Sequence, residues 1–253
     1  INLKVGYANF EYVLGSMSFV YIIGIPILTM RTIADERKQK TDQLLYSLPL
    51  TMTKVVVGKY LVLLIMLLIP TAIIAFYPLI LTAFGSVYLP AAYGTLVGFF
   101  FLGAALAAIG MFVSSLMENQ ASAAGLCFAI ILMDYFISSL AGYVSTTAFA
   151  SFIAYAVVLV ALGVIVRLLT KNTFAAIMSA LVPGIALVIT YGVTPSSFEG
   201  SFPAVMEQLS LFDRFYVFSD GVFDIRALVF FASIVMVFLF LSVQSMEKRR
   251  WNG

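Results

Sequence analysis

The sequence predicts an all-α, polytopic membrane protein. Three observations predict it. Of 253 residues, 62% are hydrophobic and only 10% are charged, against about 25% charged in soluble domains. The apolar residues gather into seven runs, most near the roughly 20 residues that a helix needs to cross a ~30 Å hydrocarbon layer. The charges gather between those runs. Lipid, rather than a second layer of structure, then covers most apolar faces.

Composition also narrows the chemistry. The net charge of +2 is too small to suggest nucleic acid. Cys127 is the one cysteine, so neither a disulfide framework nor a thiol metal site can be built within the chain. There is no histidine, which removes zinc triads, histidine-activated nucleophiles and the usual proton shuttle.

The spans are expected at 10–30, 55–84, 91–117, 121–143, 149–169, 174–193 and 227–243, within one transmembrane domain over 1–253. The first run precedes a polar segment at 31–52. This segment holds seven charged residues: Arg31, Asp35, Glu36, Arg37, Lys38, Lys40 and Asp42. From Thr41 it reads as an amphipathic helix. Leu44, Leu45 and Leu48 form an apolar stripe, with Asp42, Gln43 and Ser47 facing elsewhere. Pro49 closes it, because the residue before a proline is pushed out of helical dihedrals. Such a helix between two spans serves contact with something in the cytoplasm.

The second span is long and carries Pro70 and Pro78, which predict a kink or a break; Pro183 predicts the same in the sixth. The third span is rich in small residues: Gly94, Gly98, Gly103, Ala104, Ala107 and Ala108. With Ala121, Ala124 and Gly125 of the fourth, they permit close helix approach. Between these spans, Glu118, Asn119 and Gln120 form a polar turn, in which Asn119 or Ser122 can cap the next helix. The turn reads equally as a plain connection or as a second cytoplasmic contact.

Asp134 lies midway along the fourth span. A carboxylate at bilayer depth costs several kcal/mol unless it is paired or faces water. Three outcomes stay open: a protonated acid, a hydrogen bond to a Tyr or Ser of a neighbouring helix, or a lining of a substrate path. The last long connection, 194–226, is acidic and aromatic. Its 205–218 portion has the spacing of a short amphipathic helix lying in the interface or dipping back in. An ordinary aromatic belt fits it as well.

Lys and Arg set the orientation. With 31–59 in the cytoplasm, alternation puts eleven of the fourteen basic residues inside, the C-terminus among them. Only Lys4, Arg214 and Arg226 stay outside. Residue 1 is then outside, which leads to the expectation of a further helix before Ile1.

Catalytic motifs are missing. Gly58-Lys59 is followed by Tyr60, and Thr53 stands where a phosphate-binding loop needs its first glycine. Neither HExxH nor GxSxG is present, and the seven runs hold no paired carboxylates. The chain is therefore read as having no ATPase or hydrolase activity of its own.

Several stretches in order carry a resemblance. They are Glu36-Arg37-Lys38-Gln39-Lys40-Thr41-Asp42-Gln43-Leu44-Leu45, Ser47-Leu48-Pro49, Gly58-Lys59-Tyr60, Asn9-Phe10-Glu11-Tyr12, Ile25-Pro26-Ile27-Leu28, Ser114-Ser115-Leu116-Met117-Glu118-Asn119-Gln120 and Met246-Glu247-Lys248-Arg249-Arg250-Trp251. Together they resemble the type-2 ABC transporter permeases, most of all the gliding-motility-associated and nitrous-oxide-reductase maturation subset. The likeness covers the chain to about residue 143 and resumes at about 209. It departs from the family pattern in two places. Lys40 stands where the family turn has glycine, and the two spans within 149–193 are additional.

The resemblance implies the permease subunit of an ATP-driven exporter in a bacterial cytoplasmic membrane. Its implied partners are two ABC ATPase subunits, a second permease copy or homologue and the lipid bilayer, with room for an accessory extracytoplasmic subunit. No cofactor belongs to the chain itself; ATP and Mg would sit on the ATPases. Thr41, Asp42, Leu44, Leu45 and Leu48 would form a coupling helix in an ATPase groove, oriented by Asp35, Glu36 and Arg37. An ion-coupled secondary transporter and a non-transporting membrane scaffold are the rival readings.

Overall fold

The computed structural model describes residues 10–40, 51–84, 86–170 and 172–252, and among them no strand occurs. Helices form at all seven predicted runs. The first is broken into α1 (Phe10–Met17) and α2 (Val20–Thr29). A short α3 (Ala34–Lys38) follows, then α4 (Met52–Ile74) and α5 (Tyr77–Leu81). Next come α6 (Leu89–Leu116), α7 (Gln120–Ala141), α8 (Ala148–Thr170) and α9 (Thr173–Val193). A 3₁₀ turn at Pro195–Phe198, α10 (Ser201–Leu209), α11 (Leu211–Ser219) and α12 (Ile225–Asn252) complete the chain.

Four stretches are long and apolar enough to cross a membrane: Met52–Leu81, Leu89–Leu116, Gln120–Ala141 and Ile225–Arg249. Two bent pairs add candidates. Phe10–Met17 with Val20–Lys38 bends by 52°, and Ile177–Val193 with Pro195–Leu209 by 119°. Ala148–Val164 is a shorter apolar helix. The protein is thus an all-α, polytopic membrane protein.

Two compact units divide the chain: Ile1–Tyr135 with Leu211–Gly253, and Phe136–Ser210. In the larger unit α6 is the centre, with α2, α4, α11 and α12 packed on it. Small residues make this possible. A Cβ added to Gly98 would stand 2.7 Å from Phe218 Cγ, and one added to Gly103 2.8 Å from the Tyr21 hydroxyl. Backbone carbonyls of α6 are left open by the same economy. Tyr21 donates to the carbonyl of Phe99 at 3.1 Å, where the residue one turn on is Gly103. Tyr60 donates to that of Ala104 at 3.0 Å, beside Ala107 and Ala108. In the smaller unit α8 and α9 pack side by side. Tyr155, Tyr191, Phe198 and Phe202 form an aromatic cluster there with the 3₁₀ turn and α10.

The breaks differ from the sequence expectations in instructive ways. The first run was expected unbroken, yet it divides at Ser18–Phe19. Ser18 turns its hydroxyl onto the Gly15 carbonyl at 2.7 Å, a local bond that competes with the helix ladder. The predicted interruption of the second run falls at Ala75–Phe76, where Tyr93 donates to the freed Ala75 carbonyl at 3.3 Å. Pro183 stays inside α9. The single helix expected over 205–218 is two helices, parted at Ser210 by an extended backbone (ψ 119°).

Gly103→Ala is expected to lower stability by about 1–3 kcal/mol, through the clash with Tyr21 and the loss of its bond to Phe99. Gly125→Ala, with nothing within 4 Å of the added carbon, is the neutral control. Thermal unfolding of the detergent-solubilised protein reads both.

Candidate functional site

The polar segment after α2 is fixed at the Leu116 end of α6. Ile33 stands at the N-cap of α3 but makes no side-chain cap bond. The cap comes instead from Ser114, 0% exposed, whose oxygen accepts from the amides of Ile33 at 3.1 Å and Ala34 at 3.0 Å. Two orphan donors of a helix start are thereby satisfied by a residue 80 positions away. A serine suits this position because it is small enough for a crowded helix end and has two lone pairs to offer.

Charged side chains complete the bracket. Lys59, from the first turns of α4, donates to the Thr32 carbonyl at 2.8 Å and pairs with Glu36 at 2.5 Å. Asp35 accepts from Gln39 at 3.1 Å and from Gln120 at the start of α7. Arg37, 7% exposed, donates to the Met117 carbonyl at 3.2 Å. Residues 32–37 are therefore tied to α4, α6 and α7 at once.

The end of α6 is held in its turn. The carbonyls of Ser115, Leu116 and Met117 belong to the set that an α-helix leaves without internal partners. They accept from Ser245 at 3.1 Å, Arg249 at 3.1 Å and Arg37 at 3.2 Å respectively. Two of these donors are guanidinium groups, whose charge suits the negative end of a helix. Arg249 also pairs with Glu118 at 3.2 Å. Asn119 caps α7 by accepting from Ala121 at 3.0 Å.

The structure thus brings together Asp35, Glu36 and Arg37 with Glu118 and Gln120 around one helix end. Thr41, Asp42, Leu44, Leu45 and Leu48 lie outside the described residues. Lys59, Ser114 and Arg249 are partners that the sequence reading did not place in the cluster. Each sits in a quoted stretch, but the stretches do not say who meets whom.

Asp134 lies apart from this cluster. Both its oxygens stand 3.3 Å from the amide of Leu211. It caps the N-terminus of α11, where the helix dipole favours a carboxylate. At the other end of α11, Thr95 donates to the Phe218 carbonyl at 2.7 Å. Phe212, Phe215 and Phe218 are fully buried between these caps. α11 is thus seated in the core of the larger unit, its aromatic face packed against protein.

Lys40 ends the described part of the segment with φ +55°. It follows the last turn of α3, with its amide on the Arg37 carbonyl at 3.0 Å. A left-handed residue at this position is a common helix terminator, and glycine fills it without steric cost.

The geometry offers hydrogen-bonded anchoring of the described part of the polar segment. Among the described residues no group of three or more Cys, Asp or Glu is placed to hold a metal. A family model described as ABC-2 family transporter protein matches residues 6–152, more than half of the chain. No curated protein and no solved structure matches it.

Ser114→Ala is expected to cost about 2 kcal/mol, as two buried amides lose their acceptor. Amide exchange should quicken at 33–38 and stay slow at 99–108. Lys40→Gly is expected to stabilise by about 0.5–1 kcal/mol, by relieving the left-handed backbone; thermal unfolding again provides the readout.

Proposed function

The chain belongs to the ABC-2 transporter family, and from that premise we propose that it is the membrane permease that receives work from separate ABC ATPase subunits. The observation that carries the proposal is the bracket around α3. Six residues, 32–37, are bonded to three helices, and the bonds converge on the Leu116 end of the most buried helix of the protein. A segment fixed so firmly on one side suits the transfer of a push from the other.

In this reading the leucine stripe of Leu44, Leu45 and Leu48 docks in a groove of the ATPase. ATP and Mg bind there, on the partner, and not on this chain. Closure of two ATPases around ATP moves the stripe. The caps at Ser114 and Met117 pass the movement to α6, which has no internal proline. Two permease subunits then shift relative to each other and open a path. The motif likeness to exporter permeases supports outward transport across a bacterial cytoplasmic membrane. The lysines and arginines of 31–59 and of the C-terminus support a cytoplasmic location for both.

The test is co-purification. Leu44→Asp with Leu45→Asp is expected to release the ATPase, while the permease keeps its unfolding temperature and elution volume. A complex that survives the double substitution refutes the coupling assignment. A wild-type chain that brings down no ATPase after gentle extraction favours an ion-coupled transporter or a scaffold instead.

A further inference from the structure

The smaller unit carries a groove that the coupling reading does not use. It runs between α8 and α9, and its volume is about 440 Å³. Phe152, Ala156 and Val160 of α8 line one wall, and Ala180, Gly184 and Val188 of α9 line the other. Each set follows the i, i+4, i+8 spacing of one helix face. Every residue that lines the groove is apolar. It stays open because each row has a small residue at its centre, Ala156 in one and Gly184 in the other. A Cβ added at Gly184 would meet nothing within 4 Å.

Width decides what fills it. In lipid, an empty groove forfeits dispersion contacts for every atom that lines it, so an apolar body that fits is held there. From Phe152 to Val160 the wall is about 12 Å long, at 1.5 Å per residue. Over that length the volume leaves a mean cross-section of roughly 40 Å². A helix about 10 Å across needs about twice that. An unbranched hydrocarbon chain is much thinner and fits lengthwise.

Charge fixes which way such a chain lies. The segment Phe136–Ser210 has four charged residues: Arg167, Lys171, Glu199 and Glu207. The two basic residues follow the Val160 end of the wall in sequence, and the two acids come after α9. Arg167 stands seven residues beyond Val160. That is two helical turns, so it continues the same face about 10 Å further on. It is exposed and enters no ion pair among the described residues. At the opposite end the Phe152 ring packs on Tyr191 at 4.7 Å, and Tyr191 packs on Phe198. Arg167 is about 22 Å along α8 from Phe152. Half of a bilayer, headgroups included, spans about 20–22 Å. A lipid phosphate at Arg167 therefore lays its acyl chain along the groove, with the chain end at Phe152.

The structure assigns the groove to one phospholipid with an anionic headgroup, drawn from the leaflet at the Arg167 end. One acyl chain lies between the rows of Ala156 and Gly184. The phosphate accepts from the Arg167 guanidinium, whose fork of N–H groups matches its oxygens. A choline beside the phosphate would cancel part of that attraction, so a net negative headgroup is preferred. Glu199 and Glu207, at the far end, repel the same headgroup from the other leaflet. The site goes beyond the coupling reading and survives its failure.

The test offers the full chain in detergent equal amounts of phosphatidylglycerol and phosphatidylcholine, and native mass spectrometry counts the retained lipid. Phosphatidylglycerol is expected in about fivefold excess, the scale of one basic residue at an anionic surface. Arg167→Gln should bring the two lipids level. Gly184→Leu, which fills the open wall, should lose the bound lipid of either kind. Both variants should keep the unfolding temperature of the wild type. Lys54→Gln removes an exposed cation of the larger unit and should leave the preference intact. Equal retention of the two lipids by the wild type overturns the proposal. So does a preference that outlasts Arg167→Gln or falls equally with Lys54→Gln, and so does lipid that Gly184→Leu leaves in place. A dimer that Gly184→Leu dissociates gives the groove to a second copy of the chain instead.

Discussion

The structure depends on one helix being stripped of side-chain bulk. In α6, 78% of the most apolar stretch is buried, against 22% or less in Met52–Leu81, Gln120–Ala141 and Ile225–Arg249. A helix can be enclosed on several sides only if its neighbours approach closely, and in lipid the gain comes from packing and hydrogen bonds rather than from expelled water. Glycine and alanine at 98, 103, 104, 107 and 108 provide that approach. They also uncover the backbone. Carbonyls that larger residues would screen accept from Tyr21 and Tyr60, so the small residues supply both the fit and the polar contacts that fix its register.

The same logic governs the helix ends. A hydrocarbon surrounding cannot solvate an orphan carbonyl or amide, and each one buried without a partner costs about 1–3 kcal/mol. The protein answers with side chains from distant parts of the sequence. Ser114 caps α3, Asp134 caps α11, Thr95 closes α11, and Ser245, Arg249 and Arg37 close α6. Arg37 and Arg249 enter from opposite halves of the chain onto adjacent carbonyls. Several polar residues of this membrane protein thus fasten its helix termini.

That explains which features were legible in the sequence. Hydropathy located a helix at each of the seven runs, because lipid imposes a composition on any span, but only four of them are long and apolar enough to cross, or six with the bent pairs counted. The small-residue stripe of 94–108 announced close packing. Asn119 was readable as a cap, since its helix starts at the next residue. Asp134 was visible as an anomaly, but its partner was not. The partner is a backbone amide 77 residues away, and an amide leaves no pattern in the side chains. The bond of Ser18 to Gly15 is equally silent, as many serines lie in unbroken helices. Spacing alone joined 205–218 into one helix. Burial of Phe212, Phe215 and Phe218 in one unit, with Ser201–Leu209 in the other, is tertiary information. Lys40 stood out against the glycine of the resembled pattern, and its φ of +55° is a left-handed backbone that glycine adopts without steric cost.

The placement of the breaks bears on the rival transport mechanisms. Ion-coupled transporters use interrupted helices and membrane-embedded carboxylates at the site where the ion binds. Here the one carboxylate at mid-span, Asp134, shares the Leu211 amide at the start of α11 between its two oxygens, and so acts as a structural cap. α6 is continuous for 28 residues and carries a tied segment at one end. The interruptions lie in its neighbours, at Ser18–Phe19 and Ala75–Phe76. In the proposed mechanism a displacement at the Leu116 end travels along a stiff rod, and the neighbouring helices flex where their ladders are already open. A rod with a clamp at its driven end and pliable neighbours suits mechanical work delivered by another subunit. A transporter powered by an ion would need its discontinuity in the rod itself, beside a carboxylate free to bind.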